Sequence, residues 1–208
     1  GCNSGTDALL ISLRAMNIGP GDEVITSPFT YFATAEVIAL TGARPVFADI
    51  NPHTFNINHK LIEKLITKKT KAVIPVHLYG QACEIIKIRK ICRKYNLILI
   101  EDCAQSFGAK MNNQYTGTFG QFGCFSFFPT KNLGCAGDGG MIVTNSLQKA
   151  KILKKLRNHG GLARNIHEYI GYNSRLDEIQ ASILLTKLKI INSINKKRIG
   201  IAKKYKKM

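Results

Sequence analysis

The sequence predicts an α/β fold in which helices cover both faces of a mostly parallel β-sheet. Two patterns support this prediction. Helical and extended segments alternate along the chain, and the extended segments are continuous apolar runs rather than two-residue alternations. Strands that are apolar on both sides are typical of parallel sheets buried between helices. With 208 residues, of which 45% are hydrophobic, the chain can form a core of this kind.

The first half of the chain supplies three predicted helices and three predicted strands. Residues 6–16 place Leu9, Leu10, Leu13 and Met16 on one helical face, and a Gly-Pro-Gly-Asp turn then ends the helix. The other predicted segments of this half are strands at 23–26, 45–48 and 72–76 and helices at 31–40 and 61–66. This order of strands and helices favours parallel pairing.

The second half continues the alternation and ends in a basic helix. Its predicted segments are a helix at 85–95, strands at 97–100, 124–128 and 141–144, and helices at 147–157 and from residue 176 onward. No acidic residue follows Glu178, whereas nine lysine and arginine residues do. The apolar positions Ile190, Ile191, Ile194 and Ile199 indicate that this last segment is an amphipathic helix.

Charge and cysteine content narrow the class of protein. The net charge is +17, and about half of it lies in the last segment, which lacks interleaved aromatic residues and any recognised nucleic-acid-binding motif. We therefore expect no specific nucleic-acid partner. No window reaches the roughly 18 apolar residues of a membrane span, and no secretory segment is visible. The six cysteines form no CxxC pair, so we expect no metal site and a cytoplasmic protein with reduced thiols.

Polar residues after the predicted strands are the first candidates for chemistry, because ligands of parallel sheets bind at the carboxyl ends of the strands. Asp102 follows the strand at 97–100, where its carboxylate can hold a cation, a metal or a protonated ring nitrogen. The alternative is a cap for a following helix. Lys131 is the only charged residue in 121–136, and its amine is a potential nucleophile toward carbonyl groups. The alternative is a lysine that extends to the surface.

The start of the first helix is a candidate phosphate site. Ser4, Gly5 and Thr6 lie at this helix start, where free backbone N–H groups and the helix dipole attract anions. An ordinary N-cap is the commoner alternative. The four glycines within 134–140 indicate tight turns near a ligand, although their spacing fits neither a P-loop nor a dinucleotide-binding fingerprint.

Nine short segments share their order and spacing with one known family. They are CNSGTDAL, IGPGDEVITSPFTYFATAEVI, GARPVFADI, PVHLYGQ, EDCAQSFGA, FSFFPTKNLG, GDGGMIVTN, RNHG and IGYNSRLDEIQA. Together, from residue 1 to about residue 188, they resemble the nucleotide-sugar aminotransferases of the DegT/DnrJ/EryC1/StrS type. The resemblance implies a pyridoxal phosphate enzyme. It also implies the large domain of the pyridoxal phosphate transferase type I fold, with a seven-stranded type of sheet.

The resemblance implies a role for each candidate residue. Lys131 would form the Schiff base with pyridoxal phosphate and move a proton between the substrate and cofactor carbons. Asp102 would keep the pyridine nitrogen protonated, so that the ring can act as an electron sink. The other implied cofactor contacts are Gln105 and Tyr31 at the ring, Gly5, Thr6 and Ser126 at the phosphate, and Asn173 at the phosphate of a neighbouring subunit's cofactor.

The implied reaction moves an amino group from an amino acid, usually glutamate, to a keto group of a nucleotide-linked deoxysugar, in a homodimer with shared active sites. Lys131 favours transamination over the sugar dehydration of relatives that carry histidine there. Two alternatives stay open: a catalytically divergent pyridoxal phosphate protein, dehydratase-like or regulatory, and a basic nucleic-acid-binding protein. Family members are nearly twice as long. We therefore expect residues 1–186 to form the large domain without its N-terminal arm, and 187–208 to begin an interdomain helix leading to an absent small C-terminal domain.

Four residues in or near these segments receive other expectations. His77 is expected to pack or to form hydrogen bonds, and Cys103 to be a small buried residue. Arg175 is expected to support the loop that carries Asn173. For Tyr31, a plain position in the hydrophobic core is the alternative to stacking on a ring.

Overall fold

A computed structural model describes all residues of the chain, 1–208. Its strands are β1 (Glu23–Thr26), β2 (Arg44–Phe47), β3 (Thr70–Ile74), β4 (Ile98–Asp102), β5 (Lys110–Met111), β6 (Gln114–Tyr115), β7 (Phe122–Ser126) and β8 (Gly140–Val143). Six of them form one sheet in the order β2-β1-β3-β4-β7-β8. All neighbours pair in parallel except β7 and β8, which pair antiparallel. The mostly parallel α/β fold predicted from the sequence is confirmed.

Seven α-helices and one short 3-10 helix accompany the strands. They are α1 (Gly5–Arg14), α2 (Ala33–Leu40), α3 (His59–Leu65), a 3-10 helix at Leu78–Gly80, α4 (Ile85–Lys94), α5 (Leu147–Leu156), α6 (Glu178–Leu188) and α7 (Ile191–Tyr205). Every predicted helix is present, with ends that differ by a few residues. None of the helices combines the length and the apolar character that crossing a membrane requires.

The sheet has six strands rather than the seven that the resemblance implies. On the open side of β8, Cys2 alone forms an isolated antiparallel bridge to Gly140. A single bridge is too short to count as a strand, yet it places the residues before α1 in the plane of the sheet. A side chain at position 140 would collide with the backbone of Ser4, so glycine permits this close approach.

Successive residues of each inner strand point to opposite faces of the sheet, and each face has its own hydrophobic core. Val24, Ile74 and Ile100 belong to the core that α1, α2 and α5 cover. Their neighbours in sequence belong to the core on the other face, beneath α3 and α4; they are Ile25, Val73 and Leu99. This two-residue period explains why the sequence shows unbroken apolar runs.

Helix α1 is the most deeply packed helix of the first core. Leu9, Leu10 and Leu13 are buried as predicted, Ile11 is buried beside them, and Met16, just beyond the helix, is half-buried. The helix contacts β4, β7 and β8. Its N-terminus is consequently held at the edge of the sheet where β4 and β7 end.

The basic segment at the end of the chain is two helices rather than one, because the backbone leaves the helical hydrogen-bond pattern between Leu188 and Ile191. Only part of its predicted apolar face is covered. Ile191 is buried and Ile194 is half-buried, whereas Ile190 and Ile199 are exposed. The first turn of α7 therefore packs on the domain, and the rest of the helix extends into solvent.

Candidate functional site

One pocket of about 350 Å³ lies where β4 and β7 end and α1 begins. This location agrees with the rule that parallel sheets bind ligands beyond the carboxyl ends of their strands. The volume is in the range of small-molecule sites. Seven of the eight predicted site residues line the pocket: Gly5, Thr6, Tyr31, Asp102, Gln105, Ser126 and Lys131.

Asp102, the last residue of β4, is a buried carboxylate with fixed orientation. Its Oδ1 accepts the backbone N–H of Ala104 at 3.0 Å, and its Oδ2 accepts the hydroxyl of Thr34 at 2.9 Å. Burial raises the pKa of Asp102 above its usual value, while these two hydrogen bonds and the charge of Lys131 counteract the rise. No helix follows β4 directly, so the alternative of a helix cap is wrong. The carboxylate is instead suited to hold a cationic group in the pocket.

The N-terminus of α1 and the end of β7 line one side of the pocket with polar groups. Ser4 caps the helix, because its Oγ accepts the N–H of Asp7 at 3.0 Å. A Cβ atom on Gly5 would lie 2.6 Å from the Cβ of Ser126, so only glycine allows the helix to approach this serine so closely. The result is a narrow cradle between the first N–H groups of the helix and the Ser126 hydroxyl, which fits a phosphate group.

The lysine, the glutamine and the tyrosine line the rest of the pocket. Lys131 is half-buried and lies in a turn in which its N–H donates to the carbonyl of Phe128 at 2.9 Å. The Oε1 of Gln105 accepts the N–H of Tyr79 at 2.7 Å, which orients the Gln105 side chain. Tyr31 is 76% exposed, so the alternative of a core aromatic is wrong. Its ring is available to a ligand.

Asn173 lies outside this pocket. It is exposed and lines a separate polar pocket with Arg175 and Asp138, and Asp138 also lines the first pocket. Its backbone forms an antiparallel bridge with Asn158, and Arg175 donates to the Asn158 side chain at 2.9 Å. Arg175 thus supports the Asn173 loop, in agreement with its predicted role.

Glu101, which precedes Asp102, organises the opposite face of the sheet. Its carboxylate is fully buried and accepts three backbone N–H groups of the 117–120 turn at 2.7–2.8 Å and the Nε2 of His77 at 3.0 Å. Because the Nδ1 of His77 accepts the N–H of Cys83, the ring proton lies on Nε2. His77 is therefore a buried hydrogen-bonding residue, as predicted, and Cys103 is buried nearby.

Four polar residues of the pocket have no role in the sequence analysis: Thr30, Thr34, Thr130 and Asp138. Thr30 and Thr34 are four residues apart, and this spacing could have placed their hydroxyls on one side of a helical turn. Nothing local connects Thr34 with Asp102, however, because 68 positions separate them.

The fold and the pocket together define a class of protein. A lysine amine, a buried carboxylate and a phosphate-sized cradle converge at the end of a mostly parallel sheet. This set of groups matches what pyridoxal phosphate needs: a primary amine, an acidic partner for its ring nitrogen and an anion site. The chain has the large-domain fold of pyridoxal phosphate-type transferases.

The chain belongs to the DegT/DnrJ/EryC1/StrS aminotransferase family, whose model matches residues 1–208. This finding confirms the family resemblance. Membership in the family also implies pyridoxal phosphate as the cofactor.

Individual relatives agree with this assignment. The chain is 54% identical over 184 residues to UDP-N-acetyl-3-dehydro-α-D-glucosamine 3-aminotransferase of Acidithiobacillus ferrooxidans, with 88% of this chain and 50% of that protein covered. It is 49% identical over 208 residues to the "Pleiotropic regulatory protein" of Geobacillus stearothermophilus, with 100% and 56% covered. The crystal structure of a DegT DnrJ EryC1 StrS aminotransferase from Brucella abortus superimposes with a TM-score of 0.96 at 43% identity, with 99% and 57% covered. The chain spans about half the length of these relatives.

Proposed function

We propose that this chain is the cofactor-binding part of an aminotransferase that transfers an amino group from an amino acid, glutamate, to a keto group of a nucleotide-linked deoxysugar. The observation that carries the proposal is the convergence of Lys131, Asp102 and the Gly5–Ser126 cradle on one pocket. The relative from Acidithiobacillus ferrooxidans, whose name describes amino transfer to a UDP-linked sugar, supports the substrate class.

Each residue of the pocket would perform a distinct task. Bound pyridoxal phosphate supplies an electron-withdrawing ring that stabilises negative charge on the substrate carbon. The amine of Lys131 would hold the cofactor covalently and then carry a proton to and from that carbon. The carboxylate of Asp102 would keep a proton on the ring nitrogen. The N–H groups at Gly5 and Thr6 and the hydroxyl of Ser126 would hold the phosphate.

The remaining ring contacts follow from the orientation of two side chains. Gln105, fixed through its amide oxygen, would present its amide nitrogen to the ring or its hydroxyl group. Tyr31 would stack on the ring face, which its exposure permits.

The test is chemical trapping of the cofactor. Pyridoxal phosphate is added to the protein, borohydride reduces the adduct, and mass spectrometry of the peptides locates it. We expect the adduct on Lys131 and its loss in Lys131→Ala. Lys151→Ala, which removes an exposed lysine of α5, is the matched control and should keep it. A folded wild-type protein without an adduct on Lys131 contradicts the proposal.

The assembly and location of the protein are further parts of the proposal. We propose a homodimer in which Asn173 reaches the phosphate of the cofactor in the partner subunit. Exposed aromatic side chains next to the pocket support such a contact, since Tyr31, Phe32 and Tyr79 are each more than 70% exposed. Six buried free cysteines are consistent with a reducing, cytoplasmic environment.

The domain assignment also belongs to the proposal. We propose that residues 1–186 are the large cofactor domain and that 187–208 begin the helical connection to a small C-terminal domain. The exposed apolar residues of α7, such as Ile199 and Ile201, are consistent with a helix that packs on a further domain.

A regulatory role is the second candidate function, because one relative at 49% identity is named as a pleiotropic regulatory protein. A regulatory protein could retain every cofactor contact, so trapping of pyridoxal phosphate does not separate the two functions. Rapid mixing with glutamate does. An aminotransferase converts the bound cofactor to its amine form and releases 2-oxoglutarate, whereas a purely regulatory protein leaves the spectrum unchanged.

A further inference from the structure

The carboxylate of Asp102 ends a short chain of hydrogen bonds formed by the hydroxyl groups of Thr30 and Thr34. The Oγ1 of Thr34 lies 2.9 Å from the Oδ2 of Asp102 and 3.0 Å from the Oγ1 of Thr30. Both threonines line the pocket, and Thr34 is buried. Thr34 is the one side chain that donates a hydrogen bond to this carboxylate. The second carboxylate oxygen accepts the backbone N–H of Ala104.

The direction of these hydrogen bonds follows from counting protons. A carboxylate only accepts, so the single hydroxyl proton of Thr34 is directed at Asp102. The oxygen of Thr34 then accepts in its bond with Thr30, which donates. Each member of the chain therefore fixes the orientation of the next, and the negative end of the chain lies on Asp102.

The same hydrogen bonds connect the segment that carries Tyr31 to the carboxylate of Asp102. Tyr31 lies directly after Thr30, and its carbonyl oxygen accepts the N–H of Thr34 at 3.2 Å. A shift of the Tyr31 segment would consequently pull on the hydroxyl that orients Asp102.

We propose that Thr34 is a positioning residue that fixes the carboxylate of Asp102 and couples it, through Thr30, to the Tyr31 segment. The importance of Asp102 for a bound cofactor rests on the proposed function, but the coupling itself is a property of the unliganded chain. The hydrogen bond from Thr34 lowers the pKa of Asp102 against the rise caused by burial.

Other ionisable groups surround Asp102, and they are the same in wild type and in variants of Thr34. His77 lies on the neighbouring segment, where its backbone N–H donates to the carbonyl of Asp102 at 3.0 Å. Lys131 is the cation of the pocket. Cys103 follows Asp102 in the chain and Cys124 is the residue of β7 that pairs with Asp102, and both thiols are buried. Substitution of Thr34 changes none of these groups.

The experiment compares Thr34→Val, which keeps the shape and removes the hydroxyl, with Thr34→Ser, which keeps the hydroxyl. Carboxyl-labelled aspartate in the unliganded protein allows the titration of Asp102 to be followed by carbon NMR, and Asp102→Asn assigns the signal. We expect Thr34→Val to raise the pKa of Asp102 and Thr34→Ser to leave it near the wild-type value. Thr30→Val should move it in the same direction by a smaller amount.

The second measurement is the affinity for pyridoxal phosphate. Loss of the buried hydrogen bond is expected to weaken binding about tenfold in Thr34→Val, with little change in Thr34→Ser. Circular dichroism checks that each variant is folded, and Thr34→Ala serves as a second hydroxyl-free variant if valine disturbs α2.

Two results would overturn the positioning role of Thr34, and a third would overturn the proposed function without affecting that role. An Asp102 titration that is the same in the hydroxyl-free variants and in wild type overturns the positioning role. Equal changes in Thr34→Ser and Thr34→Val also overturn it, because the change would then not depend on the hydroxyl and would point to altered packing. If wild type binds no pyridoxal phosphate, the proposed function fails, while an Asp102 titration that responds only to loss of the hydroxyl still supports the positioning role.

Discussion

Glu101 and Asp102 are adjacent acids with different surroundings, because successive side chains of a strand point to opposite faces of the sheet. Glu101 is saturated by hydrogen bonds from a turn and from His77, whereas Asp102 lines the pocket with one hydroxyl and one backbone N–H as partners. The first carboxylate therefore contributes to folding, and the second is available for a ligand.

Replacement of Glu101 by glutamine is expected to lower the free energy of unfolding by about 3 kcal/mol, because an amide NH₂ would face backbone N–H donors that then lose their acceptor. Urea unfolding measures the change. The matched control is Glu84→Gln, which removes an exposed carboxylate paired with Lys87 and should cost less than about 1 kcal/mol. Equal midpoints for the two variants would contradict the assigned role of Glu101.

Asp102→Asn is expected to change how stability depends on pH in the protein without cofactor. Burial places the pKa of Asp102 above its unfolded value of about 4, so the folded state binds the proton more tightly. Stability of the wild type therefore falls as the pH rises from the unfolded pKa to the folded pKa, and it stays lower above that window.

The asparagine variant lacks this decline, so its stability relative to wild type should increase as the pH rises above the unfolded pKa of about 4, and it should level off above the folded pKa of Asp102. Urea titrations at several pH values test the expectation. Asp49→Asn, at an exposed aspartate, is the control in which no such growth is expected. A constant difference between wild type and Asp102→Asn would show that burial does not act on this carboxylate as described.

The sequence identifies residues of the pocket when a local pattern around them is distinctive. Asp102 was predicted because it ends an apolar run, and Lys131 because it is the only charge in a long uncharged stretch. Thr34 was missed, since its partner is 68 residues away and a threonine in a helical segment carries no distinguishing pattern. The structural role of Glu101 was missed because three of its four hydrogen-bond partners are backbone N–H groups, which every sequence contains, and the fourth, His77, is 24 positions away.

At the level of secondary structure, the approach of α1 to β7 forms the phosphate cradle. Gly5→Ala is expected to lower the free energy of unfolding by about 1–3 kcal/mol and to weaken pyridoxal phosphate binding, because the new methyl group would lie against Ser126. Gly19→Ala is the matched control: its added Cβ would meet nothing closer than 3.5 Å, the carbonyl of Thr41. Equal stability and affinity in both variants would mean that α1 can shift freely.

The elements themselves were predicted to different extents. β1 was predicted with its observed bounds, Glu23–Thr26, because flanking turn residues isolate a short apolar run. The hairpin of β5 and β6 was missed, since two-residue strands show no periodicity and its Asn112-Asn113 turn resembles any polar loop. The 3-10 helix at Leu78–Gly80 was missed because it depends on a positive φ at Tyr79 that only tertiary contacts explain.

For the whole molecule, the position of Asn173 outside the pocket allows a sharp test of shared active sites. Lys131→Ala and Asn173→Ala are each expected to reduce cofactor loading. If a site takes its lysine from one subunit and its asparagine from the other, mixed dimers of the two variants contain one intact site. We therefore expect mixing to restore part of the loading with wild-type affinity.

Asn192→Ala, at an exposed asparagine of α7, provides the control and should bind the cofactor like wild type. Sedimentation of the wild type and of the mixture establishes whether dimers are present. No recovery in mixed dimers would assign Asn173 and Lys131 to one and the same subunit's site, or would remove Asn173 from the site.

The alternation at the end of β4 also determines how the chain tolerates insertions and deletions. One residue added or removed within 98–102 would turn Asp102 toward the α4 side of the sheet and Glu101 toward the pocket. The carboxylate that supports the fold and the carboxylate that is available to a ligand would then exchange places. A length change at the exposed turn of the β5–β6 hairpin leaves the orientation of Glu101 and Asp102 unchanged. Length variation among functional descendants of this sequence should accordingly accumulate at residues 112–113 and be absent from β4.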